Sequence, residues 1–387
     1  MKSDKVDFSI LDMNIYKDFV VFNISSCSGK EYTLCVDKNG NGYCTCPSFY
    51  FRKKCKHFEK IKKVGKMVLS WDNVEESKVV REFKSSLNVI NDMFGGSAYT
   101  SDNIFGLFGL AGEGKSLLCI QEAFYLMSQG YRVLYIDTEG SLVSQLRKCW
   151  ADVFMARFNL SKNDLNERFF IQNFREKEFA DKEEKIEKVL YYFGDNTEIE
   201  KKGNKIELKW IEKKGRKPKD NRSLIEKDVD KYNIDFIILD SITNPIRIAI
   251  SSSPQNYPAK SDIEARILGH LLELQVEYNV GMLVTLQASY NPTNPYDNEV
   301  SMRGGLSAAY NIKRRISLIR RNKNGLENYR IFFFERGETG SSKSTVGFAK
   351  IDDFGYADLD LEKEGLTISD LLTGSQLKKV YGEEDTE

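Results

Sequence analysis

The stretch NIFGLFGLAGEGKSLLCIQEAFYLMSQG, residues 103–130, constrains this chain more than any other. An apolar run leads into Gly109, Gly112 and Gly114, then Lys115 and Ser116, and apolar residues then return at helical spacing. A strand, a glycine loop of the form G-x-x-x-x-G-K-S and a helix make one unit of a parallel sheet, and that loop is built to hold phosphate. Its backbone N–H groups turn inward, the helix N-terminus adds a favourable dipole, Lys115 reaches the outer phosphates and Ser116 offers a hydroxyl to magnesium. The nucleotide-binding set is therefore Gly109, Gly112, Glu113, Gly114, Lys115, Ser116 and Leu117.

Three later apolar runs end in polar residues: YRVLYIDTEG in Asp137 and Glu139, IDFIILDS in Asp240, and VGMLVTLQ in Gln287. Strand-like runs alternate with amphipathic helical text from residue 86 to 360, which predicts an α/β fold with a mostly parallel sheet flanked by helices. In such a sheet these strand ends emerge at the carboxyl edge, beside the phosphate loop. Asp240 is then placed to hold hydrated magnesium, Glu139 to orient and deprotonate an attacking water, and Gln287 to sense the terminal phosphate. Lys115, Glu139 and Gln287 are the expected catalytic residues. A single acid at a strand end would read as a turn cap; several on one edge read as a site.

A second signal lies in YCTCPSFYFRKKCKHFEKI, residues 43–61, which holds three of the seven cysteines and one of the two histidines. The N-terminus MKSDKVDFSILDM has no apolar signal core, so the protein is expected in the cytoplasm, where thiols stay reduced and a disulfide framework is not expected. Cys44, Cys46, Cys55 and His57 supply the four ligands of a tetrahedral zinc site. Cys44 and Cys46 sit two apart at the end of a strand and face one side, and a short loop returns Cys55 and His57 at the start of a helix. The isolated Cys27, Cys35, Cys119, Cys149 and His270 read as ordinary buried residues.

Lysine plus arginine and aspartate plus glutamate balance at 57 each, so no global field draws the chain to a polyanion or a membrane, and no apolar run is long enough to span one. Local patches are another matter. Arg52, Lys53, Lys54, Lys56, Lys60, Lys62, Lys63 and Lys66 face one acid, Glu59. A long insertion at about 195–225 alternates like a hairpin and ends in Lys213, Lys214, Arg216, Lys217, Lys219 and Arg222, readable as a nucleic-acid contact or as a solvated loop. The expected organisation is a zinc module over 1–70, a linker over 71–85, the parallel-sheet domain over 86–360, and a C-terminal segment over 361–387 with an acidic tail.

The C-x-C, eight-residue, C-x-H spacing resembles the SWIM zinc-binding domain over roughly residues 8–68. That resemblance implies a small ββα module associated with binding DNA or proteins. The phosphate loop, YIDTEGS, FIILDSIT, LVTLQASYNPTNP and RGGLSAAYNIKRRISLIRR, in this order, resemble the RadA/RecA-type recombinase ATPases over roughly 86–358. The resemblance implies a RecA-like core using ATP and Mg2+, with Glu139 as catalytic base, Asp240 supporting magnesium and Gln287 opening the second of two DNA loops. Those loops correspond to residues 242–262 and 288–305, where Arg247, Lys260 and Arg303 are candidate phosphate contacts and Tyr290 and Tyr296 candidate stacking groups. It implies single-stranded or double-stranded DNA as a partner, with a recombinase or further copies of the chain docking on the core, in recombination or repair. Two rival readings are an ATP-binding adaptor that recruits a recombinase through the SWIM module, and a KaiC-like regulator. The family's docking phenylalanine would fall near FKSS at Phe83, and its adenine-stacking arginine near Arg147.

Overall fold

In the computed structural model the described residues are 8–15, 19–26, 29–37, 41–59, 61, 79–175, 179, 181–203, 205–210, 222–250, 254–290, 300–302, 311–321, 323, 325–336 and 346–381. The chain divides into two compact units, Met1–Val79 and Val80–Glu387.

The first unit is an antiparallel meander of β1 (Phe8–Ile15), β2 (Phe19–Ser26), β3 (Glu31–Asp37) and β4 (Gly42–Cys44), paired in chain order. Alternation puts Phe22 and Ile24 of β2 and Leu34 and Val36 of β3 on one fully buried face. At the entry to β4 only glycine fits, because a Cβ on Gly42 would lie 1.8 Å from the Cys35 carbonyl oxygen. The chain then forms α1 (Pro47–Arg52), with Pro47 at the first helical position and the left-handed Lys53 ending it. Residues 56–59 form a second helical segment, and Phe49 of α1 meets Phe58 with ring centroids 5.1 Å apart. The sequence reading placed a plain loop between the two cysteine pairs; the connection contains α1, and two more strands precede the expected pair.

In the second unit β5 (Glu82–Phe83) pairs with β6 (Tyr99–Thr100). Phe83 is buried against Tyr131 and Phe236, with ring centroids 4.9 and 5.3 Å away. The end of the stretch read as a linker is thus core. The main sheet holds β7 (Ile104–Gly109), β8 (Val133–Asp137) and β9 (Phe169–Asn173). After the hairpin β10 (Thr197–Lys202) and β11 (Lys205–Trp210), the sheet adds β12 (Phe236–Asp240), β13 (Gly281–Tyr290), with β14 (Val300–Met302) paired to its end, and β15 (Arg314–Arg320). Six parallel strands run in the order β15-β7-β13-β12-β8-β9, and β16 (Tyr329–Arg336), β17 (Val346–Asp352) and β18 (Gly355–Asp358) extend the sheet antiparallel from β15.

Every residue of β7, β8 and β12 is buried, as expected where helices cover both faces of a parallel sheet. On one face α2 (Lys115–Ser128) sets Leu118 and Phe124 against Tyr99, Phe105 and Phe236. On the other, α3 (Lys182–Tyr192), α4 (Leu224–Tyr232) and α6 (Tyr257–Tyr278), with α5 (Thr243–Ala249) before it, set Ile186, Val229 and Leu271 against Leu134, Ile237 and Val284. The mostly parallel, helix-flanked sheet expected from the sequence is what forms. From β7 the chain passes through α2 to β8, skipping two positions that β12 and β13 later fill, while β15 takes the opposite side of β7. Such a reversal opens a crevice at the carboxyl ends of the strands.

The inserted hairpin carries the cross-strand pair Lys209–Glu200 at 2.9 Å, and Arg222 reaches Asp230 at 2.8 Å. Lys213, Lys214, Arg216, Lys217 and Lys219 lie outside the described residues. Among the described residues no helix is long and apolar enough to cross a membrane.

Candidate functional site

Strand β7 ends at Gly109, paired with Gln287 of β13, and a Cβ at Gly109 would sit 2.5 Å from the Leu318 carbonyl oxygen. Gly112 and Gly114 adopt φ of +82° and +103°, the left-handed backbone that glycine tolerates without strain. The helix α2 then begins at Lys115. The Lys115 ammonium donates to the carbonyls of Gly109 and Leu110, both at 2.9 Å, so the loop is held closed on its own lysine. Burial lowers the Lys115 pKa, and the charges of Asp240 and Glu139 oppose that fall.

Asp137 and Glu139, both acids at the end of β8, do different work. Asp137 accepts the backbone N–H groups of Glu139, Gly140 and Leu142 at 3.0, 2.7 and 2.8 Å, which folds the turn that presents Glu139. Burial pushes the Glu139 carboxyl above its ordinary value and Asp240 adds to the rise; the Ser241 hydroxyl, which donates to it at 3.2 Å, and Lys115 work against it. Asp240 is fixed by two donors, Tyr135 Oη at 2.9 Å and Thr285 Oγ1 at 2.6 Å. The Asp240–Ser241 peptide is cis. The Gln287 backbone N–H donates to Thr243 Oγ1 at 3.0 Å.

These groups line a cavity of about 280 Å³ made by Gly112, Gly114, Lys115, Ser116 and Leu117 from the loop and Glu139, Asp240 and Gln287 from three neighbouring strand ends, with Ala111 and Gln145 completing it. That is close to the lower bound of about 300 Å³ for ligand sites. Ser116 and Asp240 share the cavity, and a hydroxyl with a carboxylate suits a hydrated Mg2+. Gly109 lies at the strand end below the loop. Glu113 is turned off the cavity: its buried carboxyl is pushed up by burial, and its carbonyl accepts Arg330 Nε at 2.6 Å and Tyr356 Oη at 3.4 Å. Sequence reasoning missed Tyr135, Ser241, Thr285, Gln145, Arg330 and Tyr356, because scattered hydroxyls, one amide and one arginine carry no motif.

The expected DNA loops differ from the reading. Most of 242–262 is helical, in α5, a short turn of helix at Pro254–Asn256, and the start of α6. Lys260 sits on α6 with its ammonium 6.0 Å from the Tyr257 ring centroid. The segment 288–305 begins as a strand, since Ala288, Ser289 and Tyr290 pair with Met302, Ser301 and Val300. Arg303 and Tyr296 lie outside the described residues, as do the side chains of Arg247, Tyr290 and Arg147.

In the first unit the ligand atoms of Cys44, Cys46, Cys55 and His57 all lie within 4.8 Å of one another. Tetrahedral zinc at about 2.3 Å from sulfur and about 2.0 Å from nitrogen needs separations somewhat under 4 Å, within easy reach of this cluster. Cys44 closes β4, Cys46 caps α1, and the Phe58 backbone N–H donates to Cys55 Sγ at 3.2 Å, a bond that favours the thiolate. Burial, followed by the neighbouring thiols, drives the Cys44 pKa far up, and a bound cation is the natural counterweight. The His57 ring lies 5.2 Å from that of Tyr32. Three sulfurs and an imidazole fit zinc.

No protein-family model matches the chain, and no curated protein matches its sequence. Among solved structures, a RadB recombinase is similar with a TM-score of 0.46 at 16% identity, covering 71% of this chain and 98% of its own. A KaiC-like protein of the hyperthermophilic archaeon Pyrococcus horikoshii is similar with a TM-score of 0.46 at 16% identity, covering 73% of this chain and 100% of its own.

Proposed function

We propose that the second unit binds and hydrolyses ATP with Mg2+, as a RadA/RecA-type recombinase paralogue coupled to single-stranded DNA in recombination or repair, and that the first unit holds zinc. One observation carries the reading: Lys115 and Ser116 from the start of α2 and Glu139, Asp240 and Gln287 from three neighbouring strands converge on one cavity. Lys115 exchanges its loop carbonyls for phosphate oxygens when nucleotide enters. Ser116 and Asp240 would hold Mg2+, which would supply neutralisation of charge on the phosphate oxygens. Asp240 needs no reorganisation for this, because Tyr135 and Thr285 already hold it. Glu139 takes the proton of the attacking water; burial and the neighbouring Asp240 raise its pKa, which makes it a better base than an exposed carboxylate. Gln287 meets the terminal phosphate at the root of the β13–β14 hairpin, so nucleotide state biases the conformation of that hairpin and its DNA affinity.

The test is ATP turnover by the zinc-loaded protein with and without single-stranded DNA, at two salt concentrations. Stimulation that weakens with salt is expected, because phosphate contacts release counterions. Turnover without stimulation would favour the adaptor that recruits a recombinase, and equal stimulation by matched RNA would favour a KaiC-like regulator.

A further inference from the structure

Helix α1 packs inward through Phe49 alone, and its other two rings face solvent: Tyr50 is 72% exposed and Phe51 is 80% exposed. Two adjacent rings this open are unusual on a small module, where apolar surface is scarce and is buried first. The rings stand edge to face, with centroids 5.2 Å apart at 89°, so each keeps a face open. The residues that follow are cations, Arg52, Lys53, Lys54 and Lys56, all exposed, and the Lys53 ammonium lies 5.8 Å from the Tyr50 ring centroid. No acid occurs between Asp37 and Glu59.

We infer that Tyr50 and Phe51, with Arg52, Lys53, Lys54 and Lys56, form a platform for single-stranded nucleic acid on the first unit, a surface separate from the loops of the second. The charge pattern selects the occupant. Aromatic faces bordered by uninterrupted positive charge match unpaired bases on a polyphosphate backbone: each base stacks on a ring regardless of identity, and the cations follow the phosphates. A duplex keeps its bases stacked inside and can use only the cations, so the platform distinguishes single from double strands. The inference deepens the proposed DNA binding but needs neither ATP nor the second unit's cavity.

The experiment is fluorescence anisotropy of labelled oligothymidylate and of a matched duplex with the full-length, zinc-loaded protein and no nucleotide. Tyr50→Ala/Phe51→Ala is expected to weaken single-strand binding roughly ten- to hundredfold. Duplex binding, zinc content and DNA-free ATP turnover should stay as in the wild type. Arg52→Gln/Lys54→Gln/Lys56→Gln is expected to weaken both ligands and to reduce the slope of log affinity against log salt for the single strand by about 2. Single-strand affinity within twofold of wild type in the ring variant overturns the platform. Failure of the wild type to bind oligothymidylate at low salt also overturns it, and the rings then belong to a protein interface. Absence of ATP turnover in a wild type that still binds through the rings would sink the ATPase reading alone.

Discussion

Glu122 lies on α2, the helix that starts from the phosphate loop, with no exposed surface at all. It accepts the Ser85 hydroxyl at 2.9 Å, the Ser86 hydroxyl at 2.7 Å and the Ser86 backbone N–H at 3.1 Å, yet burial outweighs those bonds and pushes its pKa up to about 7 from an ordinary 4.5. Below pH 4.5 the carboxyl is protonated whether folded or not, and the fold keeps its full stability. As pH rises toward 7 the unfolded chain gives up the proton while the folded one holds it, so stability falls across this window and levels off above it. Two and a half decades of proton affinity at about 1.4 kcal/mol each come to about 3 kcal/mol. Glutamine has the shape of the protonated acid and offers both a donor and an acceptor to the two serines. Glu122→Gln should therefore match the wild type near pH 4.5 and exceed it by about 3 kcal/mol at pH 8. Urea unfolding of both proteins at several pH values measures this, and other raised carboxyls, such as Asp137 and Glu264, cancel in the difference. A gap between the two proteins that does not change from pH 5 to pH 8 would refute the reasoning, since Glu122 would then be ionised throughout.

Glu139→Gln keeps an oxygen to accept the Ser241 hydroxyl, so nucleotide affinity should change little while turnover falls about 10²- to 10⁴-fold; a loss under tenfold means another group takes the proton. Wild-type turnover should also fall on the acid side at a pH above the ordinary carboxylate range, because the Glu139 pKa is raised, and a profile flat down to pH 4.5 contradicts this. Cys55→Ser should release zinc and loosen the first unit while the second unit's melting transition stays in place; metal analysis still finding one zinc per chain would show that the ligand set is wrong. Phe83→Ala removes a buried ring from contact with Tyr131 and Phe236 and should destabilise the second unit by about 3–5 kcal/mol, whereas a loss below 1 kcal/mol in chemical unfolding would mean that the site collapses around the gap.

The sequence made the outline of this molecule legible where one residue type has one physical use. Gly112 and Gly114 must be glycine at their positive φ, and the runs that lead to Glu139, Asp240 and Gln287 are apolar because both faces of their strands are covered. The cluster of Cys44, Cys46, Cys55 and His57 was equally plain, since close-spaced sulfurs and an imidazole have few other reasons to be together. What stayed hidden depends on tertiary placement. Tyr135 and Thr285 look like ordinary strand residues until pairing sets them beside Asp240. The residues around Pro245 and Pro258 fall in an expected loop, but both prolines sit in the first turn of a helix, where no intrahelical donor is required. Phe83 read as linker because burial of a lone ring after a polar stretch leaves no periodic trace.

The two sheets also differ in when they can be completed. In the first unit every strand pairs with its sequence neighbour, so the meander closes through short loops and suits rapid, early folding during synthesis. The candidate site of the second unit joins Tyr135 to Asp240 across 105 positions, Thr138 to Ser241 across 103, and the Glu113 carbonyl to Arg330 and Tyr356 across 217 and 243. The phosphate loop is thus translated early and clamped last, after β18 has left the ribosome. A nascent chain can carry a finished first unit long before the loop of the second is clamped, and a chain cut short of β18 would keep the motif residues while losing one of the bonds that fix the loop.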